Sequence, residues 1–352
     1  MGASLLPGAG ADDRGIGTAA TSRSAGCVIH SSGAAAKTRL TAQTVTDIGA
    51  LQRCLRTDLG FRKTGCIRLA SNKDDLEQLR AQADVTCAVL RDPSAAVVID
   101  GAAAEARVPW LQCPESAVVP GALFTAVDGV MDPTVLAGAY LQAARAADGA
   151  VVETISTAVQ SFVTDGSDRV IGVRTPGGDG PGAAASTCCD YAVAAAGAWT
   201  GLLTEPLGST LPGLPMAPTR SHYWLSKEAP ATFDGGDPIV IMPGARAYTR
   251  PEGPHGCLLG LQEPASLSWD PRSLPGASVH STVAHSLVSA SALQAEEMLL
   301  SQFGALIDFF PQAAEIGWGN YTAGLSTYTI DGKLPPRTIF PPRRHFVRTD
   351  YN

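Results

Sequence analysis

The sequence places a run of small side chains, DYAVAAAGAWTG, at residues 190–201, where a strand ending in glycine is predicted. A strand built for packing normally carries Val, Ile or aromatic residues, because small side chains bury little apolar area. Ala and Gly instead leave the main chain accessible, so the pyrophosphate or ring of a cofactor could approach it at the carboxyl end of the strand. A buried strand against which a helix packs closely explains the same residues, and this motif alone does not choose between the two.

The cysteines do not form a metal-binding pattern. The chain has eight of them, and no two form a C-x-x-C pair or accompany a cluster of histidines. Zinc sites need such spacing, so we expect no metal site. Scattered thiols in a chain of this length favour a reducing compartment over secretion.

Composition and charge argue against several classes of function. The chain has 352 residues, with 26 Lys+Arg against 33 Asp+Glu and a net charge of -7. It therefore lacks the basic surface expected for binding nucleic acid or anionic lipid. No apolar run approaches the roughly 20 residues of a membrane-spanning helix, and the first residues do not resemble a secretory signal. We expect an intracellular protein, cytoplasmic or mitochondrial, and the length predicts two domains.

The elements that must position a site are predicted from the spacing of apolar and turn residues. Helices are predicted at 41–59, 74–83 and 283–310, and another follows Asp132, a capping residue, with Pro133 in its first turn. A short strand is predicted at 65–70. A hairpin at 157–164 and 169–175 precedes the Ala-rich strand at 188–199. An antiparallel sheet is predicted from strands at 219–227, 238–243, 247–253 and 257–263.

Seven segments of the sequence together carry a resemblance to a known family. Their order and spacing are more specific than any one of them. The chain resembles the flavin-dependent amine and amino-acid oxidoreductases of the D-amino-acid oxidase superfamily, especially the branch around sarcosine and dimethylglycine dehydrogenases. The segments are TAATSRSAG at 18–26, GFRKTGCIRLA at 60–70, DGVMDP at 128–133, AAGAWTG at 195–201, RSHYW at 220–224, YTRPEG at 248–253 and AGLSTYTIDGKLP at 323–335.

The resemblance implies a mixed α/β fold, in which an incomplete FAD-binding Rossmann-like domain is interleaved with an antiparallel-sheet substrate domain that roofs the flavin. Residues 1–56, 116–202 and 312–352 would form the first domain, and residues 57–115 and 203–311 the second. The implied chemistry is oxidation of the C–N bond of an amino acid or N-methylated amine, of the sarcosine or dimethylglycine type, by hydride transfer to flavin N5. Electrons would pass to oxygen or to a carrier flavoprotein.

The resemblance also implies the residues that bind the cofactor. Main-chain N–H groups and hydroxyls along 21–26 would run beside the flavin and its pyrophosphate, because such groups hold phosphate without bulk. Val159 would meet the adenine side through its main chain, and residues 196–199 would lie beside the cofactor. The implied set is Thr21, Ser22, Arg23, Ser24, Ala25, Gly26, Val159, Ala196, Gly197 and Trp199.

Three residues of the roofing sheet are implied to orient the substrate, namely Tyr223, Tyr248 and Arg250. An Arg could bind a substrate carboxylate in a bidentate manner. Arg250 lies in a turn-like RPEG, however, where a structural ion pair is the simpler interpretation. His30 and His222 are further polar candidates, although a single His is more often a satisfied polar side chain than a catalytic group.

The sequence departs from the family pattern at both ends and at two residues. The opening strand, G-x-G-x-x-G turn and helix are not found, because GAGADDRG at 8–15 has its third glycine too late; the resemblance implies that Met1 starts near the second strand. RTIFPPRRHFVRTDYN at 337–352 replaces a further strand, Gly-rich turn and helix. Arg23 replaces the His of relatives with covalent flavin, so any FAD should be noncovalent. Ser326 replaces an Arg that binds the substrate carboxylate in many relatives, which leaves the substrate open.

Two functions from different classes are therefore compatible with the sequence. The first is an FAD-dependent oxidoreductase, which the ordered segments support. The alternative is a catalytically inactive fragment or incomplete gene product that is unable to bind FAD and serves at most as an interaction module. The absent fingerprint supports this alternative.

Overall fold

A computed structural model of the chain describes residues 16–17, 19–113, 120–155, 157–165, 169–177, 184–204, 216–227, 233–253, 256–262, 268, 292–329 and 346–347. Its α-helices are α1 (Ala35–Leu55), α2 (Lys73–Leu90), α3 (Gly101–Glu105), α4 (Pro133–Ala146), α5 (Thr200–Thr204) and α6 (Ala292–Ile307). No helix within these ranges has the length and apolar composition needed to cross a lipid bilayer.

The strands form one large sheet and three small ones. Strands β2 (Cys66–Leu69), β3 (Ala96–Ile99), β4 (Ala122–Thr125), β10 (Met216–Ser226), β11 (Ile239–Met242), β12 (Ala247–Glu252), β13 (Gly256–Leu261) and β14 (Trp318–Thr329) build the large sheet, in the order β14-β10-β13-β12-β11-β2-β4-β3. Its neighbours pair antiparallel except β2 and β11, which are parallel.

The smaller sheets involve the segments that flank the large one. Strands β6 (Ser161–Thr164), β7 (Val170–Pro176) and β8 (Ala184–Cys188) form an antiparallel sheet, with β7 in the centre. Strand β1 (Cys27–Val28) pairs antiparallel with β5 (Gly129–Val130), and β9 (Val193–Ala194) pairs parallel with β15 (Phe346–Val347). The mixed α/β fold predicted from the sequence is confirmed.

The two faces of the large sheet have different coverings. One face, called the core face, packs a large apolar cluster that includes Val240, Leu259 and Trp224 from the sheet and Leu306 from α6. The opposite face carries α2 over β3 and β4, where Leu79 of α2 and Leu123 of β4 belong to one buried cluster. We call this opposite face the site face, because Tyr223, Tyr248 and Arg250 lie on it. The large sheet draws strands from both proposed domains, and the division into two domains stays a prediction.

Several elements lie where the sequence patterns predicted them. Asp132 caps α4 by accepting a hydrogen bond from the main-chain N–H of Thr134, and Pro133 occupies the first turn. The hairpin at 157–175 forms as β6 and β7, and the four predicted strands between 219 and 263 form as β10 to β13. The strand predicted at 65–70 forms as β2.

The ends of two helices differ from the prediction. The helix expected at 41–59 spans Ala35–Leu55 and ends at Arg56, which has a left-handed φ of 51°. The helix expected at 74–83 continues to Leu90 and ends at Arg91, with φ 55°. Apolar periodicity marks the buried face of a helix and not its ends, so these boundaries were not contained in the pattern. Of the helix expected at 283–310, the described part is α6, and residues 283–291 lie outside the described residues.

The Ala-rich strand expected at 188–199 was wrong in extent. Within this range Cys188 is the last residue of β8, Val193 and Ala194 form β9, and Gly197–Trp199 form a single 3-10 helical turn that leads into α5. Gly197 adopts a φ of 51°, in the left-handed region, which is incompatible with a continuing strand. The small side chains therefore accompany a turn that follows a very short strand.

Candidate functional site

Two tyrosines of the site face share one glycine between them. In the sheet register, Tyr223 of β10 and Tyr248 of β12 both pair with Gly260 of β13, from opposite sides. A Cβ at Gly260 would lie 2.0 Å from Cε1 of the Tyr248 ring, so this ring lies across the glycine. Directly paired residues project to the same face of a sheet. The structure thus brings two of the predicted substrate-orienting residues into one row.

Both phenols in this row are protonated at neutral pH. Burial raises the pKa of Tyr248 far above its usual range, and burial also raises the pKa of Tyr223. A hydrogen bond between the side chains of Tyr223 and Thr322, together with the nearby charge of Arg250, only partly opposes the shift for Tyr223. Desolvation disfavours the phenolate. Each phenol therefore keeps the proton that a hydrogen-bond donor needs.

Arg250 lies on the same face, two residues beyond Tyr248 along β12. Its Nη1 forms an ion pair with Glu252 Oε2 at 2.6 Å and donates to the carbonyl of Pro251 at 2.8 Å. Its Nε is buried and has no hydrogen-bond partner among the described residues. The positive charge of Arg250 is thus already balanced, and a role for it in binding substrate stays a prediction.

The segment 21–26 is held against α4 and β5 by its main chain. Gly26 has a φ of 67°, and a Cβ there would lie 2.1 Å from the carbonyl oxygen of Met131. The Met131 N–H donates to the Gly26 carbonyl at 3.0 Å, while the Gly26 N–H donates to Ser24 Oγ at 3.2 Å. Only glycine fits this close approach. Residues 21–26 therefore form a turn that main-chain hydrogen bonds hold in place.

Arg23 connects this segment to β14 of the large sheet. Its Nη1 donates to the carbonyl of Ala323 at 3.1 Å. A Cβ at Gly324 would lie 2.8 Å from Arg23 Cβ, so the side chain passes over this glycine. Partial burial lowers the pKa of Arg23, and Tyr223 lies within electrostatic range of it. The guanidinium therefore lies at the site face, close to the row of tyrosines.

The other predicted cofactor segment reaches the same strands. The turn Gly197–Trp199, which Ala196 precedes, contacts both β14 and β10, and the turn Thr21–Arg23 also contacts β14. The Ala196 N–H donates to Thr200 Oγ1 at 3.1 Å, and the Trp199 N–H donates to the Ala196 carbonyl at 2.9 Å. The structure thus brings both segments against one strand, although they are far apart in the sequence.

Val159 lies in the segment that precedes β6, and its side chain is 39% exposed. Strand β6 contacts α5, the helix that directly follows Gly197–Trp199. The contact of Val159 with the adenine side of a cofactor stays a prediction.

A buried pair that the sequence did not identify lies behind the segment 21–26. The main-chain N–H of His30 and its ring Nδ1 both lie 2.8 Å from Asp128 Oδ1, and both side chains are at most 3% exposed. Burial raises the pKa of Asp128, although the contacts with His30 oppose the shift. In the sequence, Asp128 is the first residue of DGVMDP, one of the segments that carry the family resemblance, and that motif did not indicate its contact with His30. His30 is thus a satisfied polar residue of the interior.

His222 lies on the other side of the sheet from the tyrosines. It alternates with Tyr223 along β10 and packs on the core face, with its ring centroid 5.4 Å from that of Trp224 and 5.9 Å from that of Tyr321. Neighbouring residues of a strand project to opposite faces. The structure therefore does not bring His222 together with the predicted orienting residues.

A pair of serines adds to the site face. Ser221 Oγ and Ser326 Oγ lie 2.8 Å apart, with Ser221 two residues before Tyr223 on β10 and Ser326 two residues after Gly324 on β14. Alternation around Tyr223 was the sequence signal that could have found Ser221. The site face at β10 and β14 thus carries several hydroxyl groups, with the Arg23 guanidinium beside them.

The sequence model of the FAD dependent oxidoreductase (DAO) family matches residues 11–341. The chain belongs to this family. It is therefore a flavin-dependent enzyme by family, and the comparison does not favour the alternative of an inactive fragment. A search of curated protein sequences found no match.

Solved structures of several oxidoreductases share the fold of this DAO-family chain. L-proline dehydrogenase from P. horikoshii is 16% identical, with a TM-score of 0.68 over 92% of this chain and 75% of that one. Glycine oxidase from Geobacillus kaustophilus is 20% identical, with a TM-score of 0.63 over 95% and 79%. L-amino acid deaminase from Proteus vulgaris is 16% identical, with a TM-score of 0.66 over 95% and 80%.

The residues of the two segments fit the FAD of this family. Residues 21–26 carry three hydroxyl groups and no acidic side chain, which suits a phosphate or a flavin ring, while the main-chain N–H groups of Ser22, Arg23 and Ser24 donate within the turn. A Cβ at Gly197 would meet no heavy atom within 4 Å, so the main chain there is open to a close approach. No cluster of His, Cys, Asp or Glu side chains suited to a metal ion occurs in the part of the chain that the structure describes.

Proposed function

We propose that this chain is an FAD-dependent oxidoreductase that oxidises the C–N bond of an amino acid or N-methylated amine. The observation that carries the proposal is the row formed by Tyr223, Gly260 and Tyr248, on the sheet face that the segment containing Arg23 also contacts. Proteins of the same fold are named for oxidising or deaminating proline, glycine and L-amino acids. These names support a small amino-acid or amine substrate.

The residues of the site face would bind and orient such a substrate. Bound FAD would supply the hydride acceptor. Tyr223 and Tyr248, whose pKa values are raised by burial, would donate hydrogen bonds to the substrate, and their rings would exclude water from one side of it. The main chain of 21–26 and of 196–199 would hold the cofactor without covalent attachment, because Arg23 is not a nucleophilic side chain.

Two finer features belong to the same proposal. A substrate of sarcosine or dimethylglycine type suits the two phenol rings, because aromatic faces attract methylated ammonium groups. Oxygen or a carrier flavoprotein would accept the electrons. These features rest on the resemblance and on the aromatic row, and the substrate panel below examines the first of them.

The proposal is tested by oxidation of a panel of amines with the FAD-loaded protein, comparing glycine, sarcosine, dimethylglycine and proline with an artificial electron acceptor. We expect turnover of at least one of them, and a drop of about tenfold or more in kcat/KM for Tyr248→Phe, the scale of one positioned hydrogen bond. Tyr140→Phe is the matched control, because Tyr140 lies on α4 and donates to Asp47 on α1. An FAD-loaded chain that oxidises no member of the panel would contradict the proposal.

A further inference from the structure

Three guanidinium groups lie on the site face, those of Arg23, Arg68 and Arg250, and the two beside the tyrosine row, Arg23 and Arg250, differ in their electrical environments. Arg250 has Glu252 at 2.6 Å, so its charge is balanced within β12. Arg23 is partly buried, and its side chain contacts the carbonyl of Ala323, a neutral acceptor, at 3.1 Å. No Asp or Glu of the described residues lies within ion-pair distance of Arg23. Arg68 lies on β2, which β11 separates from β12. Of the two guanidinium groups beside the tyrosine row, Arg23 is therefore the one that has no ion-pair partner among the described residues.

The neighbours of Arg23 are suited to an oxyanion. Tyr223 lies within electrostatic range of both Arg23 and Arg250, and its hydroxyl is protonated. The hydroxyls of Ser221 and Ser326 lie on the same face, on the two strands that Arg23 approaches. A guanidinium with donors to spare and nearby hydroxyls can bind a carboxylate through charge-assisted hydrogen bonds. Partial desolvation strengthens such an interaction.

We propose that the Arg23 side chain, passing over Gly324 onto the site face, binds the carboxylate of the substrate, with Tyr223 as its neighbouring hydroxyl donor. This inference rests on the proposed function. On this assignment the main chain of Arg23 belongs to the cofactor segment, whereas its side chain faces the substrate. It also names the substrate class: the amine must carry a carboxylate, so simple amines are poor substrates.

A phosphate of the cofactor is the other source of an oxyanion, and the geometry favours the carboxylate. The guanidinium lies against β14 beside the tyrosine row, where a substrate would be oriented. A phosphate would instead suit the open main chain of the turn Gly197–Trp199, where a Cβ at Gly197 would meet no heavy atom within 4 Å. The experiment distinguishes the two sources by measuring ligand binding and FAD retention separately.

The test compares two ligands that cannot be oxidised. 2-Aminoisobutyrate and tert-butylamine both lack a hydrogen on the carbon next to nitrogen, and they differ in that a methyl group replaces the carboxylate. Their Kd values are measured by calorimetry on the FAD-loaded protein. We expect tighter binding of 2-aminoisobutyrate by about ten- to hundredfold, the size of a charge-assisted interaction. Arg23→Met should remove this preference, and Arg23→Lys should keep part of it.

Two further variants make the outcome decisive. Arg53→Met removes the same side chain from the exposed surface of α1 and should leave the preference unchanged. Gly324→Ala keeps the charge but adds a methyl group 2.8 Å from Arg23 Cβ, so it should displace the guanidinium and reduce the preference. If Arg23→Met does not fold, Arg23→Lys and Gly324→Ala decide.

The outcomes separate this inference from the function on which it rests. A wild-type chain that holds no FAD contradicts the proposed function, and the inference with it. An FAD-loaded chain that binds both ligands equally, or keeps its preference in Arg23→Met, overturns the inference alone. If Arg23→Met binds FAD more weakly but keeps an unchanged preference when it is saturated with FAD, the guanidinium is assigned to the cofactor phosphate and the inference is also overturned.

Discussion

Asp128 uses one of its two carboxylate oxygens for both of its contacts with His30. Oδ1 lies 2.8 Å from the main-chain nitrogen and 2.8 Å from ring Nδ1 of His30, while Oδ2 is buried without a hydrogen-bond partner among the described residues. An unpaired buried oxygen is costly when it carries charge. Asp128 therefore holds the chain just after the cofactor segment, although its burial disfavours the ionised form of the carboxyl group.

Removing this carboxylate should destabilise the protein through His30. We expect Asp128→Ala to lower the free energy of unfolding by about 2–3 kcal/mol, because it leaves the buried His30 N–H without an acceptor. Asp128→Asn keeps an oxygen at the same place and should cost less than about 1 kcal/mol. Urea unfolding measures both. Equal losses in the two variants would show that the contacts with His30 contribute little.

The stability contribution of Asp128 should depend on pH. Because its pKa is raised in the folded protein, the native state holds the proton more tightly than the unfolded chain. The contribution is therefore greatest below the unfolded pKa of about 3.9 and is lost as the pH rises through the folded pKa. The groups that face it, His30 and the Cys27 and Cys66 thiols, are kept in both proteins.

The measurement is the difference in unfolding free energy between wild type and Asp128→Asn, followed from about pH 4 to pH 8. We expect wild type to lose stability relative to Asp128→Asn as the pH rises. A difference that is constant, or that grows in favour of wild type, would contradict a raised pKa for Asp128.

At the scale of the element, the turn at 21–26 depends on a glycine whose surroundings are filled. Gly26 and Gly60 both have positive φ, at 67° and 72°, but only at Gly26 would a Cβ meet a backbone oxygen, at 2.1 Å. Gly60→Ala should lower the free energy of unfolding by about 1–2 kcal/mol, because alanine is disfavoured in the left-handed region of backbone conformation. Gly26→Ala should lower the free energy of unfolding by more than Gly60→Ala does, because its methyl group would also meet the Met131 carbonyl oxygen, and it should weaken FAD binding. Similar thermal melting curves for the two variants would contradict this account of the turn.

The tyrosine row gives a second prediction for an element, strand β13. Gly260→Ala would place a methyl group 2.0 Å from the Tyr248 ring and so displace it from the site face. We expect kcat/KM to fall by about tenfold or more, the scale of a misplaced catalytic group. Gly304→Ala in α6 is the control, since its Cβ would meet no atom within 4 Å and alanine favours a helix. A Gly260→Ala enzyme with unchanged kcat/KM would show that the ring has no part in catalysis.

Elements with local signals were predictable from the sequence. The Asp132 cap, the β6–β7 hairpin and the alternating strands β10 to β13 each follow from residues within the element. The Ala-rich strand was predicted too long because its pairing is not local: Val193 pairs with Phe346, from the far end of the sequence. Small side chains carry no signal of where such a partner ends.

At the scale of the whole molecule, the sequence did not reveal how the sheets join. Strand β2 pairs parallel with β11, and β14 pairs with β10, so the predicted antiparallel sheet is only the centre of an eight-stranded one. Pairing between distant segments depends on the packing of the entire chain. The same pairing brings Arg23 to Ala323, a contact between residues 300 positions apart. The roles of the individual site residues came from resemblance, and the contacts of Arg23 and Asp128 came only from the structure.

The visible absorption spectrum of the purified chain shows most directly whether these segments together hold FAD. The protein is incubated with FAD, freed of excess cofactor and then precipitated with acid. We predict a flavin band that stays with the folded protein, in about one equivalent per chain as for a single resident cofactor, and passes into the supernatant on precipitation because the FAD is noncovalent. A protein that remains colourless after FAD is added would contradict the account.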